Sequence, residues 1–345
     1  MRLKPYCLAL IWAAALGAEP LQIPVGGNYS LPARLDVPDK ARGVVVLIHG
    51  SGAHSMDEEL SEVTQAKQPN PFFADLSQAL QSKGLAVLRY DKRNYALRQS
   101  KSETAQQALL EHPALTFLAD AACAVQVARQ KCPGLPVFLV GHSEGTWMAL
   151  QLAHQDGQIA GLGLIGTMGN PLESLVLEQV AYRPLDYFYD LDKNRNFQLE
   201  PDELDARLAP QMALIDQDQD GHLSRSEFQA GNWSNLLLKP LINDAWRRDE
   251  ASLPSLSQVI GEAKIPMVFL QGDWDNQTPA YFVKAVEICE KAAWKKGNKS
   301  FLYFPRCGHA LDPRDRYDDT VFRRPPAATF ERAAAELARF WLQPR

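Results

Sequence analysis

Five residues constrain this chain more than any others: Gly141-His142-Ser143-Glu144-Gly145. They follow Val137-Phe138-Leu139-Val140, a short apolar run that reads as a buried strand. They precede Thr146 to Leu152, whose apolar residues have helical spacing. A strand, a G-x-S-x-G and a helix predict a sharp reversal that lifts the Ser143 hydroxyl clear of a sheet and leaves a backbone N–H beside it. The turn is too tight for side chains on either flank, hence the two glycines. The five-residue pattern alone occurs by chance; its place between a strand and a helix makes it specific.

A serine used this way needs a base and an acid, and for this arrangement they follow in the order Asp or Glu, then His. Pro266 to Gln271 reads as a strand running into Gly272-Asp273-Trp274-Asp275-Asn276-Gln277-Thr278-Pro279. Ser300 to Pro305 reads as a later strand that ends in Cys307-Gly308-His309. Both groups therefore fall on loops past strand ends, the edge where open α/β sheets put their chemistry. His309 is expected to take the Ser143 proton, and a buried Asp to hold its tautomer. Asp275 fits a G-x-x-D-x-x-x-P spacing; Asp273 is the competing choice, closer to the strand.

An oxyanion also needs two N–H donors. One is expected from the backbone of Glu144, the other from the loop after an early strand. Val44 to Ile48 is a β-branched strand followed by His49-Gly50-Ser51-Gly52, and the Ser51 N–H is the candidate. Such donors are each worth roughly 3–4 kcal/mol of transition-state stabilisation. Only the N–H of Glu144 is required, so its carboxylate is expected to face water or cap the helix N-terminus.

These residues, with Tyr90-Asp91-Lys92-Arg93, resemble the α/β-hydrolase superfamily, and within it the bacterial serine-aminopeptidase-like and esterase-type hydrolases. Matching elements run from about residue 41 to 166 and again from 264 to the end. Asn94 departs from the pattern, since many relatives carry Gly there. The resemblance implies an α/β fold, a mostly parallel sheet with helices on both faces. It implies hydrolysis of an ester, amide or thioester bond and does not choose among them.

A second motif lies inside the gap in that resemblance. Asp216-Gln217-Asp218-Gln219-Asp220-Gly221-His222-Leu223-Ser224-Arg225-Ser226-Glu227 fits a complete twelve-residue EF-hand loop for Ca2+. Asp216, Asp218 and Asp220 supply oxygens, Gly221 the sharp turn, His222 a carbonyl, Ser224 a water-mediated contact and Glu227 a bidentate carboxylate. Upstream, Asp192, Asn194, Asn196, Gln198 and Glu203 repeat the spacing, with Phe197 at the glycine position. Two amides replace carboxylates there, so this loop is expected to bind more weakly or to serve as an empty partner. Only residues 204–215 separate the loops, with Pro210 breaking the connecting helix.

The rest of the sequence sets bounds. With 345 residues and 46% apolar content, the chain suits one large α/β domain plus an insertion. We divide it as a leader over 1–18, a first core part over 19–166, an inserted helical cap over 167–263 holding the EF-hand pair at about 180–230, and a second core part over 264–345. The net charge of −5 comes from the pair, where eleven acidic and four basic residues lie between Asp186 and Glu227. No basic cluster suggests nucleic acid. Arg2 and Lys4 precede a short apolar run, Leu8 to Leu16, that reads as a signal peptide cleaved near Gly17 or Ala18. A secreted or periplasmic protein with no membrane span in its mature form is therefore expected. Export leaves Cys123, Cys132, Cys289 and Cys307, for which the pairs 123–132 and 289–307 compete with free thiols.

The sequence thus predicts a serine hydrolase acting on a small ester, with calcium ordering the cap. Two alternatives stand beside it: an aminopeptidase on short peptides, and a calcium-dependent module that docks a protein partner on a hydrolase scaffold.

Overall fold

Alternation along the central strands sets the architecture. In Val44–Ile48, every residue is buried. Val44, Val46 and Ile48 enter one apolar cluster and Val45 and Leu47 another. Met267 and Phe269 likewise face the first cluster, Val268 and Leu270 the second. Successive side chains point to opposite faces of a strand, so a run apolar at every position requires cover on both sides. Helices Pro113–Lys131 and Glu144–Gln155 cover one face. Helices Phe72–Ser82 and Ala327–Trp341 cover the other. Trp341 locks the second layer by stacking on Phe138 at 4.5 Å and donating its indole N–H to the Leu162 carbonyl.

The computed structural model describes residues 21–26, 28–61, 68–179, 184–205, 208–234, 243–292, 297–317 and 321–343. The expected leader over 1–18 lies outside them. In chain order the strands are β1 (Leu21–Pro24), β2 (Ser30–Asp36), β3 (Val44–Ile48), β4 (Ala86–Tyr90), β5 (Val137–His142), β6 (Ile159–Ile165), β7 (Gln198–Leu199), β8 (Leu223–Ser224), β9 (Met267–Gly272) and β10 (Lys299–Phe304). Eight form one sheet in the order β1-β2-β4-β3-β5-β6-β9-β10. β1 and β2 pair antiparallel, as does β2 with β4; every other pairing is parallel. β4 and β5 flank β3 on opposite sides, so the strand order reverses at β3. That reversal opens a crevice at the carboxyl ends of β3 and β5.

Between β6 and β9 the chain leaves the sheet. Helix Asp244–Ala251 returns to the first layer, with Trp246 against Trp147 at 6.2 Å between ring centroids. The described residues between 184 and 234 make a separate unit with its own small core of Phe188, Leu199, Leu208, Ile215, Leu223 and Phe228. Its two loops meet through β7 and β8, which pair antiparallel with Leu199 opposite Leu223. A short 3-10 turn at Ala209–Gln211 and one helical turn at Met212–Ile215 join them, in keeping with the break expected at Pro210. Among the described residues no helix is long and apolar enough to cross a membrane.

The disulfide pairings are corrected: Cys123, Cys132, Cys289 and Cys307 are all free thiols. For the first pair the reason is geometric. Cys123 sits inside helix Pro113–Lys131 and Cys132 caps its end. Nine residues of helix place them about 13 Å apart, beyond the roughly 7 Å that a disulfide spans.

β3 and the helix after β5 approach each other backbone to backbone. A Cβ on Gly145 would lie 2.0 Å from the Ile48 carbonyl oxygen. That neighbour is backbone and cannot turn aside. Gly145→Ala is therefore expected to cost roughly 3 kcal/mol of stability, read as a lower Tm by circular dichroism.

Candidate active site

The reversal after β5 has the strained backbone that the sequence calls for. Ser143 takes φ 54° and ψ −121° at the N-terminus of helix Glu144–Gln155. A non-glycine residue pays for such a conformation and keeps it only where the surroundings enforce it. Here the Ser143 N–H donates to the Ile165 carbonyl at 2.9 Å. Its own carbonyl accepts from the Thr146 N–H and, at 2.6 Å, from the Thr146 hydroxyl. Gly141 and Gly145 make the turn possible by close approach, since a Cβ on Gly141 would lie 2.2 Å from the Gly145 carbonyl oxygen.

The loops after β9 and β10 meet beside this turn. His309 Nδ1 is 2.9 Å from Asp275 Oδ2, with both side chains buried. Asp275 also accepts from the N–H groups of Gln277 (2.8 Å) and Thr278 (2.9 Å), the Thr278 hydroxyl (2.8 Å) and Gln271 Nε2 (2.8 Å). Burial alone would raise the pKa of Asp275, but His309 and the Thr278 hydrogen bonds hold it below the ordinary carboxylate value. Asp273, the competing choice, stays half-buried, and its N–H donates to the Phe304 carbonyl of β10. His309 Nε2 is buried and has no partner among the described residues. The His309 ring packs at 5.0 Å against that of His142, the residue before Ser143.

On the other side of Ser143 lies the loop after β3. A Cβ on Gly50 would lie 3.1 Å from the Ser143 Cβ, so this loop touches the serine. Among the described residues, neither the Ser51 N–H nor the Glu144 N–H has an acceptor. The loop is held from behind: Gly50 N–H donates to Glu58 Oε1 at 2.8 Å, and His54 Nε2 lies 2.6 Å from the Ser51 carbonyl. Asn94 also contributes, donating Nδ2–H to the Gly52 carbonyl at 3.0 Å. The departure from the family's glycine therefore braces this loop. The preceding Arg93 is anchored by a buried pair with Asp120.

The expectation for the Glu144 side chain is overturned. It neither faces water nor caps the helix; it is buried and accepts from Lys92 Nζ at 2.7 Å. Lys92 Nζ also donates to the Gly50 carbonyl at 2.6 Å and lies 4.4 Å from the centre of the Phe117 ring. The sequence also gave no role to Glu58, His142, Gln271 or Thr278. Thr278 was legible in principle, because a hydroxyl three residues after an Asp in a loop is placed to bond back to it. The others act across the fold and leave no local pattern.

The acidic loops of the insertion share one backbone plan. Arg195 and Phe197 have φ of 62° and 64°, matching 60° at Gln219 and 84° at Gly221, the same two places in each loop. Asp192 Oδ2 accepts from Phe197 N–H as Asp216 Oδ2 does from Gly221 N–H. Glu203 and Glu227 each accept from two N–H groups near the start of their own loop. The loops differ in their oxygens. Asp216, Asp218 and Glu227 each offer a carboxylate oxygen, all within 4.8 Å of one another. Asp216 Oδ1 is buried and unpartnered among the described residues. Asp220 is engaged with the His222 N–H. In the first loop the amides of Asn194 and Asn196 donate instead to the two oxygens of Glu200, and Asn196 Oδ1 accepts from Gln198 N–H.

Comparison with known proteins identifies the family and the fold. The model of the alpha/beta hydrolase family matches residues 45–324, and the chain belongs to that family. Esterase EstD of Thermotoga maritima is 31% identical over 156 residues, 44% of this chain. The match covers 34% of that esterase, so this chain spans about a third of its length. Among solved structures, Est1E from Butyrivibrio proteoclasticus with bound ferulic acid matches at a TM-score of 0.53 and 16% identity, over 94% of this chain and 100% of that one. An esterase of Pyrococcus furiosus matches at 0.53 and 14% identity, over 94% and 91%. At these identities the structures share the fold.

Buried titratable groups around the site make its stability depend on pH. Burial lowers the His49 pKa from 6.5 to about 3 and lowers that of His54 too. The unfolded chain binds those protons more readily, so stability falls as pH drops from 6.5 toward 3. Glu58 would be raised by burial, but His142 brings it down from 4.5 to about 2, so its contribution is lost only below 4.5. Between pH 6.5 and 4.5 His49 and His54 therefore lower stability as pH falls, while Glu58 does not yet contribute to the loss. His49→Asn is expected to flatten the dependence of Tm on pH in that window; an unchanged slope would exclude His49 as its source.

Proposed function

We propose that this protein is a serine hydrolase of small carboxylic esters. The observation that carries the proposal is the buried Asp275–His309 hydrogen bond, which leaves His309 Nε2 as the free ring nitrogen beside the strained Ser143 turn. In this reading Asp275 holds the proton on Nδ1, so Nε2 is the base. It takes the Ser143 hydroxyl proton as Oγ attacks the ester carbonyl. The carbonyl oxygen becomes an oxyanion, stabilised by the N–H groups of Ser51 and Glu144. The C–O bond to the alcohol then breaks, and His309 returns the proton to the leaving oxygen. An acyl group remains on Ser143. Water repeats the sequence, giving the acid and free serine.

Esters are preferred over peptides for two reasons. The curated relative is an esterase. An aminopeptidase would need a free carboxylate near the nucleophile to hold the substrate amine, and the carboxylate of Glu144 is already paired with Lys92.

We further propose that the second acidic loop binds Ca2+. Asp216, Asp218, Asp220, Glu227 and the His222 carbonyl would hold it. Crowded carboxylates and a buried, unpartnered Asp216 oxygen are what a hard cation with oxygen ligands satisfies. Bound calcium would supply charge neutralisation within the insertion. The first loop, clasped by Glu200, is its structural partner. Export through the N-terminal leader would place the pair where calcium is plentiful.

Ser143→Ala is expected to abolish turnover of a short-chain p-nitrophenyl ester, and Asp275→Asn to lower kcat by about 10⁴. Thr278→Val removes one hydrogen bond to a charged group, worth about 1.5 kcal/mol. It should cost roughly tenfold in kcat/KM. Full activity in Ser143→Ala would end the nucleophile reading. For the metal, chelation should lower Tm, since a ligand at a hundred times its Kd adds about 2.7 kcal/mol. Calorimetric titration should show calcium binding lost in Asp216→Asn/Glu227→Gln. A chelator-insensitive Tm and no binding heat would refute it.

A further inference from the structure

We propose that Lys92 is a positioning residue of the oxyanion hole: by holding the Gly50 carbonyl it aims the Ser51 N–H at the reacting carbonyl oxygen. This rests on the serine hydrolase reading above.

The argument begins with the peptide joining Gly50 and Ser51. Its C=O and N–H lie in one plane and point in opposite directions, because the bond is trans. Fixing the direction of the C=O therefore fixes that of the N–H. Lys92 Nζ donates to this carbonyl at 2.6 Å. The other side chains that brace the loop hold the Gly50 N–H and the carbonyls of Ser51 and Gly52, not the carbonyl of this peptide. The Gly50 N–H, on the preceding peptide, is held in turn by Glu58. Both peptides flanking Gly50 are thus anchored, and neither anchor is the group that faces the oxyanion.

Charge adds to geometry. A cation on a carbonyl oxygen draws electron density through the amide and makes its N–H a stronger donor. Burial keeps that effect from being screened, as the Lys92 side chain is only 4% exposed. Its counterion is the Glu144 side chain, and the Glu144 backbone is the other proposed donor. One ammonium group therefore ties together the two segments that must converge on a single oxygen. A buried ion pair is by itself weak evidence of a contribution to stability. Two apolar side chains of similar volume usually replace a buried ion pair without loss of stability, whereas removing one partner strands the other charge.

That contrast supplies the test. Lys92→Met alone confounds folding with catalysis. Lys92→Met/Glu144→Met removes both charges together and keeps every backbone N–H. Steady-state rates on a p-nitrophenyl ester, normalised to sites titrated with a fluorophosphonate, would be compared with Tm and with the affinity for an aryl boronic acid that mimics the tetrahedral state. The double variant is expected to melt close to the parent and to keep its KM. Its kcat and boronate affinity should each fall by roughly 10–100-fold, somewhat less than the loss of a whole donor. Lys92→Arg keeps a donor for the Gly50 carbonyl and should regain most of the lost kcat. A double variant with the parent's kcat would overturn the proposal. So would a Lys92→Arg protein that melts like the parent yet is as slow as the Met form. Ser143→Ala separates the two levels of inference: activity there defeats the nucleophile reading, whereas an inactive Ser143→Ala beside a fully active double variant defeats only the role of Lys92.

Discussion

The pairing of β3 with β5 is the constraint on which the site depends. Its register sets Ile48 opposite Gly141, so the two strands end within one residue of each other. The loop after one and the turn after the other are thereby forced together. Gly145 then packs against the Ile48 carbonyl with no room for a methyl group. The contact brings the helix after Ser143 down onto β3 and the loop at Gly50 up against the serine. No side chain in the site could be aligned if this backbone approach were loosened. The adjacent strands extend the same logic: β9 and β10 run parallel to β5 and carry Asp275 and His309 past the same edge.

How much of this the sequence disclosed follows from the range of each interaction. Ser143, Asp275 and His309 were readable because each lies just past an apolar strand, in a loop whose spacing is local. The alternating strands and their covering helices were readable for the same reason. The side chain of Glu144 was misread because its partner, Lys92, is 52 residues away. Such a pair leaves no periodic trace, and an acidic residue in the first turn of a helix has an ordinary local explanation. Asn94 shows the converse. It departs from the glycine of the pattern, yet its amide replaces conformational freedom with a hydrogen bond to Gly52.

The acidic loops were legible down to their turns, because a twelve-residue pattern encodes its own backbone. The less expected finding is Phe197, which adopts the left-handed conformation of the glycine it replaces. The Asp192 carboxylate takes its N–H, and the β7–β8 pairing holds the far side of the loop. A residue at odds with its local preference is kept in place by its neighbours. The same loop satisfies its amides internally through Glu200, which accounts for the contrast in side-chain oxygens between two loops of one shape.

The small core of the insertion has a further consequence. Among the described residues of this unit six buried side chains form its core, and none of them belongs to either of the large apolar clusters around the sheet. Free energies of local opening follow the apolar contact that must be broken. Backbone amides in this unit therefore exchange with solvent through an opening of their own, well below the energy at which β3 and β5 separate. Separate cores of this kind favour two tiers of cooperativity, in which the lower tier loosens while the strands that carry Ser143, Asp275 and His309 stay intact.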